Sequence, residues 1–300
     1  MTTVIDRFRG CLLGLAAGDA IGTTVEFKRR GSFQPITDMV GGDPFDLEPG
    51  QWTDDTSMAL CLATSLVECR GFDARDQMDR YVKWSEEGYL SSNGECFDIG
   101  GTVSSALARY RRTGEPFSGS TDPHQAGNGC IMRLAPVPMW FYPNLEAMER
   151  YAAESSRTTH GTAECLDACR LLARVLYRAF DGQPKQDVLF ADVAFSGAPK
   201  VQSIAGGDYR QKTREAVRGT GYVVDCLEAA LWCVWTTDSF EAAVFEAANL
   251  GDDADTTAAV AGQVAGALYG VDGVPKAWRD KVTMAGSILG LADRLRRDQS

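Results

Sequence analysis

Residues 249–270, NLGDDADTTAAVAGQVAGALYG, place a run of carboxylates directly before a stretch of alanine, glycine and valine. The apolar stretch has the composition of a buried helix, so the segment predicts a core helix with acidic residues at its start. One acidic residue there is ordinary, because the exposed N–H groups and the helix dipole stabilise it by about 0.3 to 1 kcal/mol. Three carboxylates within four residues exceed what a helix cap requires.

A second segment, residues 51–68, repeats this pattern as QWTDDTSMALCLATSLVE. Asp253 and Asp255 are separated by about 200° around an ideal helix, so they can converge only if Asp253 lies in the loop before the helix. In the same way, Thr53 would cap a helix that begins at Asp54. If the two helix starts meet, their crowded like charges need protons or cations between them.

The two segments together offer oxygen ligands and no nitrogen or sulfur. The candidate metal ligands are Thr53, Asp54, Asp55, Asp253, Asp255 and Thr256. This set suits hard cations such as Mg²⁺ or Mn²⁺, and bridging carboxylates could hold two ions about 4 Å apart that orient substrate oxygens and activate a water. The alternative is two well-capped helices that never meet. The recurrence of the same Asp/Thr chemistry favours the metal site.

Composition restricts the class of protein. Three hundred residues, 44% of them hydrophobic, are enough for a globular core. The net charge of −11 argues against nucleic acid and anionic membranes as partners, and no run of about 20 apolar residues is present. The amino-terminal RFRGCLLGLAAGDAIG superficially resembles a signal peptide, but its apolar stretch ends at Asp19. Nine cysteines without a Cys-x-x-Cys pair argue against zinc and favour the reducing cytoplasm, where we expect a monomer.

Helical periodicity dominates the chain. Helices are predicted at about 6–19, 55–70, 73–88, 101–112, 144–156, 161–180, 184–194, 209–217, 222–236, 239–248, 255–269 and 275–296. No segment offers a period-two strand or an Asn-Gly hairpin, and no linker divides the chain. The sequence therefore predicts one compact all-α domain over residues 1–300. Long loops at 41–50 and 113–129 have a length typical of functional loops.

Further candidate residues lie beside glycines. Glu26 follows the first helix in GDAIGTTVEF, where a solvated loop residue is the ordinary alternative. The glycines within residues 97–110 and 124–138 can present N–H groups to a phosphate, although neither pattern is specific alone. His160, one of two histidines, lies between two helical patterns and could act on a phosphate or ribose, or cap a helix.

Taken in order, these segments resemble the ADP-ribosylglycohydrolase family. The matching segments are GCLLGLAAGDAIGTTVEF, WTDDTSMAL, DIGGTVSSAL, AGNGCIMRLAPVP, SSRTTHGTAECLDACR, GYVVDCLEAALW and NLGDDADTTAAVAGQVAGALYG. They cover most of the chain. The resemblance implies an all-α orthogonal bundle with a binuclear Mg²⁺ or Mn²⁺ centre in a central cleft. It also implies an enzyme that hydrolyses the bond between ADP-ribose and its acceptor.

The resemblance assigns roles to individual positions. The six Asp and Thr residues named above match the metal ligands, and Asp54 and Asp253 join Glu26 as catalytic residues. Glu26 matches a glutamate beside the metals and the scissile bond, where it would act as a proton shuttle. The matching substrate-binding positions are Asp98, Gly100 and Gly101 at a substrate-side turn, Gly127, Asn128 and Gly129 around the diphosphate, His160 near the phosphate and ribose, and Tyr222 as an aromatic wall of the cleft.

Two departures from the family pattern concern specificity. Asp252 takes the place of the second of two glycines before the second Asp motif, and His124, Gln125 and Ala126 replace a Gly-Ser-Tyr approach to the Gly-Asn-Gly turn. The expected substrate is an ADP-ribosylated protein or small molecule, and the expected product is ADP-ribose. Arginine on protein is the favoured acceptor, with serine, a nucleobase or a metabolite as alternatives.

Three other functions fit parts of the pattern. Enzymes of isoprenoid diphosphates place aspartates on helices, but they use Asp-Asp-x-x-Asp, whereas Asp54 and Asp55 are followed by Thr, Ser and Met. A two-metal phosphoryl-ester hydrolase fits the chemistry alone. A non-catalytic ADP-ribose-binding protein is the third alternative, against which the complete ligand set and Glu26 argue.

Overall fold

The structure is a computed structural model that describes residues 2–189, 192 and 194–297. Its α-helices are α1 (Val4–Gly22), α2 (Asp54–Cys69), α3 (Ala74–Glu87), α4 (Gly101–Thr113), α5 (Pro136–Phe141), α6 (Leu145–Arg157), α7 (Ala163–Phe180), α8 (Lys185–Val188), α9 (Pro199–Gly206), α10 (Val223–Thr236), α11 (Phe240–Ala248), α12 (Ala254–Tyr269), α13 (Lys276–Lys281) and α14 (Ala285–Arg297). Within the described ranges, extended pairing is limited to isolated bridges. The all-α prediction is confirmed.

Helices α1 and α12 form an antiparallel pair at the centre of the fold. Their backbones approach closely because small residues recur every four positions along both helices. A Cβ atom added to Gly14 would lie 2.4 Å from the carbonyl oxygen of Gly262, and one added to Gly18 would lie 2.1 Å from that of Ala258. No side chain separates the helices at these points, so the end of α1 is fixed against the start of α12.

Side-chain caps explain where several helices begin. Thr3 and Asp6 form a reciprocal capping box at the start of α1. Asp73, Thr162 and Ser239 each accept a hydrogen bond from the backbone at the starts of α3, α7 and α11. These residues satisfy N–H groups that a helix start otherwise leaves without partners.

Two apolar clusters form the core. The larger surrounds α1 and α12, both of which are almost entirely buried. The smaller packs α3 and α4 against α2, with Met58, Tyr81, Trp84, Val103 and Leu107 at its centre. None of the helices within the described ranges combines the length and apolar character that a membrane span requires.

Three predicted helices differ clearly from the structure. The predicted 275–296 helix is two helices, because the N–H of Thr283 donates to the carbonyl of Gly50 and interrupts the helix. The predicted 209–217 helix is only a 3₁₀ turn over Asp208–Gln211. The predicted 184–194 helix ends at Val188, and residues 190, 191 and 193 lie outside the described ranges.

Helices α5 and α9 were not predicted. Both begin with a proline, which suits the first turn of a helix because the missing N–H would have had no helical partner. Both are short, with 6 and 8 residues, so they contain too few turns for periodicity to identify them.

Candidate active site

Asp19, near the end of α1, fixes the start of α2. One carboxylate oxygen accepts the N–H and hydroxyl of Thr53, at 2.9 Å each. The other accepts the N–H of Thr56 at 3.0 Å and its hydroxyl at 2.6 Å. A carboxylate from α1 thus satisfies N–H groups at the start of α2. The Asp54 and Asp55 side chains are therefore not needed to cap the helix. Asp19 is not among the site residues that the sequence predicts.

The starts of α2 and α12 meet. The Thr53 hydroxyl lies 3.3 Å from Asp255 Oδ2, and the Thr256 hydroxyl lies 3.3 Å from Asp55 Oδ1. Asp253 is the N-cap residue of α12 and makes no side-chain capping hydrogen bond. The alternative of two capped helices that never meet is therefore wrong.

Carboxylate oxygens converge in two groups that share Asp255. Glu26, Asp98 and Asp255 offer one oxygen each within 4.8 Å of one another, and Asp54, Asp55 and Asp255 do the same. The family resemblance matches Asp98 to a substrate-side turn, whereas the structure brings it into the acidic cluster. Its backbone has a left-handed φ of 57°, which differs from the helical geometry that begins three residues later.

Burial and mutual repulsion disfavour the ionised forms of these carboxyls. Burial, the Asp98 charge and the Asp253 charge raise the pKa of Glu26 to about 10. Burial and neighbouring carboxylates raise the pKa of Asp98 to about 7. The pKa values of the remaining carboxyls in the cluster are also raised, mainly by burial: Asp19, Asp54, Asp55, Asp253 and Asp255. A cluster of this kind requires bound protons or cations for its charge to be tolerated.

Several carboxylate oxygens in the cluster have no hydrogen-bond partner. They are Glu26 Oε2, Asp55 Oδ2 and Asp255 Oδ1, and all three are buried. A buried carboxylate oxygen without a donor costs free energy, which a hard divalent cation would recover by coordination. The residues present therefore fit a Mg²⁺ or Mn²⁺ site in donor type, convergence and unsatisfied ligand atoms.

The acidic cluster lies at a cavity of about 400 Å³. The cavity is lined by Glu26, Phe27, Asp54, Asp98, Ile99, Gly100, Gly101, Thr102, Val103, Gly127, Asn128, Gly129, Met132, His160, Gly221, Asp253, Asp255 and Thr256. Most of the residues assigned by sequence to metal and substrate thus share one cavity. Thr53 and Asp55 are fully buried beside it and do not line it.

The Gly127–Gly129 turn forms one wall and packs on His160. A Cβ added to Gly129 would lie 2.8 Å from the His160 ring, so a larger residue does not fit there. The Asn128 N–H donates to the Gly221 carbonyl at 3.0 Å. Burial lowers the pKa of His160 to about 4, so this imidazole is neutral at pH 7. It contributes shape and hydrogen bonding to the wall, not a positive charge.

The start of α4 forms a second wall of the cavity, which is also made of backbone. Gly100 is the N-cap residue and Gly101 the first helical residue, and no side chain caps this start. A Cβ added to either glycine would have open space around it. Because the first N–H groups of a helix lack helical partners, this end of α4 can bind an anion such as a phosphate.

Tyr222 lies beside the glycine turn but does not line the cavity. Its backbone pairs with that of Gly127, while its hydroxyl donates to Glu164 at 2.6 Å and accepts from Lys200 at 2.9 Å. Phe27 does contribute an aromatic side chain to the cavity lining, and it is not among the site residues that the sequence predicts.

Comparison with known proteins identifies the family. A sequence profile described as ADP-ribosylglycohydrolase matches residues 1–300. The chain belongs to the ADP-ribosylglycohydrolase family. Within it, the chain is 47% identical to "ADP-ribosylarginine hydrolase Tri1" of Pseudomonas putida (strain GB-1), a match that covers 97% of this chain and 78% of the relative. The corresponding protein of Serratia proteamaculans (strain 568) is 44% identical, with 97% and 79% covered.

Two further ADP-ribosylglycohydrolase relatives extend the comparison. The "ADP-ribosyl-[dinitrogen reductase] glycohydrolase" of Rhodospirillum rubrum is 31% identical over 94% of this chain and 92% of that protein. A solved chain titled "ADP-ribosylglycohydrolase-related protein complex" is 40% identical, covers 99% of both chains and has a TM-score of 0.86. The family and fold predicted from the sequence are confirmed, and the chain is an enzyme of this family.

Proposed function

We propose that this protein is a divalent-cation-dependent hydrolase that removes ADP-ribose from arginine on an ADP-ribosylated protein. The names of the relatives that are 44% and 47% identical support arginine as the acceptor. The observation that carries the chemistry is the pair of carboxylate groups sharing Asp255 at the cavity, with buried oxygens that lack partners. The name of the Rhodospirillum rubrum relative includes an ADP-ribosylated protein, which supports a protein substrate here.

The reaction breaks one carbon–nitrogen bond. Water adds its oxygen to the anomeric carbon of the ribose, the bond to the arginine nitrogen breaks, and a proton is delivered to that nitrogen. ADP-ribose and free arginine side chain are the products. The anomeric carbon develops positive charge as the bond lengthens, so nearby carboxylates stabilise the transition state.

Thr53, Asp54, Asp55, Asp253, Asp255 and Thr256 are the ligands we assign to two Mg²⁺ or Mn²⁺ ions. When bound, such ions act as Lewis acids that orient the ribose diol and favour ionisation of a water. Six oxygen-bearing side chains, four of them carboxylates that can bridge, are enough to hold two ions. Asp54 and Asp253 also line the cavity, and we assign them catalytic roles there.

Glu26 is the residue to which we assign proton transfer to the leaving nitrogen. It lines the cavity, and its Oε2 has no protein partner. A carboxyl whose pKa is raised by burial and by neighbouring charge can hold a proton at neutral pH and give it to a leaving nitrogen. Asp98 lies in the same carboxylate group, and we assign it to the ribose side of the substrate.

The diphosphate would lie between the two backbone walls. Gly100 and Gly101 present the start of α4, and Gly127, Asn128 and Gly129 form the facing turn, supported by neutral His160. None of the described residues that line the cavity is a lysine or arginine, so backbone N–H groups and cations must supply the positive potential. Tyr222 supports the turn through its backbone, and we assign no substrate contact to its ring.

Cellular and domain assignments complete the proposal. The nine cysteines are all free, which supports a reducing compartment, and we assign the protein to the cytoplasm. We assign residues 1–300 to one domain that acts as a monomer and binds neither nucleic acid nor membrane. The net charge of −11 supports the last assignment.

The decisive experiment follows release of free ADP-ribose from peptides ADP-ribosylated on arginine or on serine, with Mg²⁺, Mn²⁺ or EDTA, and detects both products by mass. We expect release from the arginine peptide that EDTA abolishes. Release from the serine peptide alone would overturn the arginine assignment. Binding of ADP-ribose without release from either peptide would favour a non-catalytic ADP-ribose-binding protein.

A further inference from the structure

Phe27 is an exposed aromatic residue at the mouth of the cavity. It immediately follows Glu26, lines the same cavity and is 67% exposed. Within the described ranges, Phe27 and Val40 are the large hydrophobic residues that are exposed. An exposed ring costs solvation free energy, so its position beside the catalytic glutamate requires an explanation.

The backbone holds the Phe27 ring in this position. Phe27 has a left-handed φ of 62°, which is unfavourable for a bulky side chain by about 1 to 2 kcal/mol. Two hydrogen bonds fix this conformation: the N–H of Phe27 donates to the carbonyl of Asp252 at 2.7 Å, and the N–H of Asp252 donates to the carbonyl of Lys28 at 2.8 Å. The turn before α12 therefore directs the ring toward solvent at the cavity mouth.

Two further phenylalanines continue from Phe27, and we call the three residues the rim aromatics: Phe27, Phe45 and Phe97. The Phe27 and Phe45 ring centroids are 6.4 Å apart with an edge-to-face angle of 77°. Phe45 and Phe97 are 5.2 Å apart, and Phe97 directly precedes Asp98. The rim aromatics therefore connect the two chain segments that supply Glu26 and Asp98 to the acidic cluster.

The surroundings of Phe27 suit a planar cation. The described lining of the cavity has no lysine or arginine that would repel a cation, and Asp98 on the cavity wall is not among the residues assigned to the ions. A guanidinium stacks on an aromatic face and is attracted by nearby carboxylates. The molecule uses the same contact elsewhere, since the Arg157 guanidinium lies 4.4 Å from the Phe117 ring centroid.

We propose that Phe27 forms an acceptor subsite that stacks on the guanidinium of ADP-ribosylated arginine and selects arginine over a hydroxyl acceptor such as serine. This inference rests on the proposed function. The bond that breaks joins the anomeric carbon to the acceptor, and Glu26 is assigned to that bond. The residue next to Glu26 is therefore at the acceptor end, whereas the adenine lies a ribose and a diphosphate away.

The test compares wild type with Phe27→Ala, Phe27→Tyr and the matched exposed control Val40→Ala. For each protein, KM and kcat are measured with an ADP-ribosylated arginine peptide, and the Kd of free ADP-ribose, which lacks the acceptor, is measured by calorimetry. Phe27→Ala should raise KM about fivefold or more, in line with the contribution of a cation–π contact. Phe27→Tyr and Val40→Ala should both keep the KM of the wild type. The Kd of ADP-ribose should be the same in all four proteins.

The outcomes separate this inference from the proposed function. If wild type releases no ADP-ribose from the arginine peptide, the proposed function fails and the arginine subsite fails with it. If wild type is active and Phe27→Ala has the wild-type KM, the subsite alone is overturned. An equal loss of affinity for free ADP-ribose would also overturn it, because the ring would then contact ADP-ribose itself.

Discussion

The side-chain amide of Asn128 donates a hydrogen bond to the carboxylate of Asp253 at 2.5 Å. This contact joins the glycine turn to the N-cap of α12 and so connects the wall assigned to the diphosphate with the acidic cluster. The same turn is held from the other side by the hydrogen bond from the Asn128 N–H to Gly221. The position of the turn and the orientation of Asp253 are therefore set together.

Replacing Asn128 by Ala should weaken catalysis without unfolding the protein. Loss of a hydrogen bond to a charged group costs about 1.5 to 3 kcal/mol, so kcat/KM should fall about 10- to 100-fold. The control is Asn144→Ala, which removes the N-cap of α6 and should lower the free energy of unfolding by about 1 kcal/mol while kcat/KM stays unchanged. Equal kcat/KM in wild type and Asn128→Ala would show that this contact does not orient Asp253.

Replacing Asp54 or Asp253 by Asn should remove cation binding and activity together. The Kd for Mn²⁺, measured by calorimetry, should rise by more than about 100-fold, beyond the usual effect of residues that only support ligands. Without metal, each variant should be at least as stable as wild type in EDTA, because one crowded carboxylate has been neutralised. The exposed Asp187→Asn is the control and should keep wild-type affinity. Full activity in either cluster variant would contradict the assigned roles.

Replacing Glu26 by Gln should slow the chemical step and leave binding intact. Loss of a general acid or base reduces rate by about 10²- to 10⁴-fold, so kcat should fall by this factor. The Kd values of Mn²⁺ and of ADP-ribose should remain near wild type, and the exposed Glu215→Gln should change nothing. Wild-type turnover in Glu26→Gln would remove Glu26 from proton transfer.

His160 should make the protein less stable as the pH falls below 6.5. Burial lowers its pKa from 6.5 to about 4, so between these values the unfolded chain binds a proton that the folded chain does not. The stability contributed by neutral His160 is present above pH 6.5 and decreases by about 2 kcal/mol on going to pH 5. The measurement is urea unfolding of wild type and His160→Gln at pH 7 and pH 5 in saturating Mg²⁺. The contribution of His160 is the amount by which the free energy of unfolding falls more between pH 7 and pH 5 in wild type than in the variant. Parallel dependences would contradict the lowered pKa, because they would show that His160 binds a proton equally well in the folded and unfolded chain.

A methyl group at Gly18 should disrupt the α1–α12 pair. The added Cβ would lie 2.1 Å from the Ala258 carbonyl oxygen, so the helices must separate, and Gly18→Ala should lower the free energy of unfolding by about 3 kcal/mol. Gly290→Ala is the matched control, because Gly290 lies in α14 with no atom within 4 Å of the added Cβ. That variant should be about 0.5 to 1 kcal/mol more stable than wild type. Equal stabilities would mean that the helix pair accommodates the methyl group.

The sequence predicted the helices and the paired Asp motifs because these depend on local patterns. Helix α12 and its acidic start follow from composition over about twenty residues. Asp19 was missed because its role depends on which helix start its carboxylate meets, and that depends on tertiary packing. The four-residue glycine spacing in α1 and α12 was a readable signal of close helix contact that periodicity of apolar residues does not capture.

Some features of the fold and of the candidate site depend on contacts between distant residues, so local sequence patterns do not predict them. The break at Thr283 depends on a hydrogen bond to Gly50, more than two hundred residues earlier, so periodicity continued across it. Asp98 joins the acidic cluster, and no spacing rule relates a residue before α4 to the starts of α2 and α12. Phe27 was overlooked because its exposure follows from a backbone pairing with Asp252.

The glycine-lined contact between α1 and α12 also determines when the site can form during synthesis. Its two helices are separated by more than two hundred residues, so Asp19 and Glu26 leave the ribosome long before Asp253 and Asp255. A nascent chain that has not yet released residue 269 lacks a complete partner for α1. Such a chain therefore exposes the small-residue face of α1 until residues 254–269 have emerged. Formation of the acidic cluster would thus report that translation has passed the end of α12 and that α12 has packed on α1.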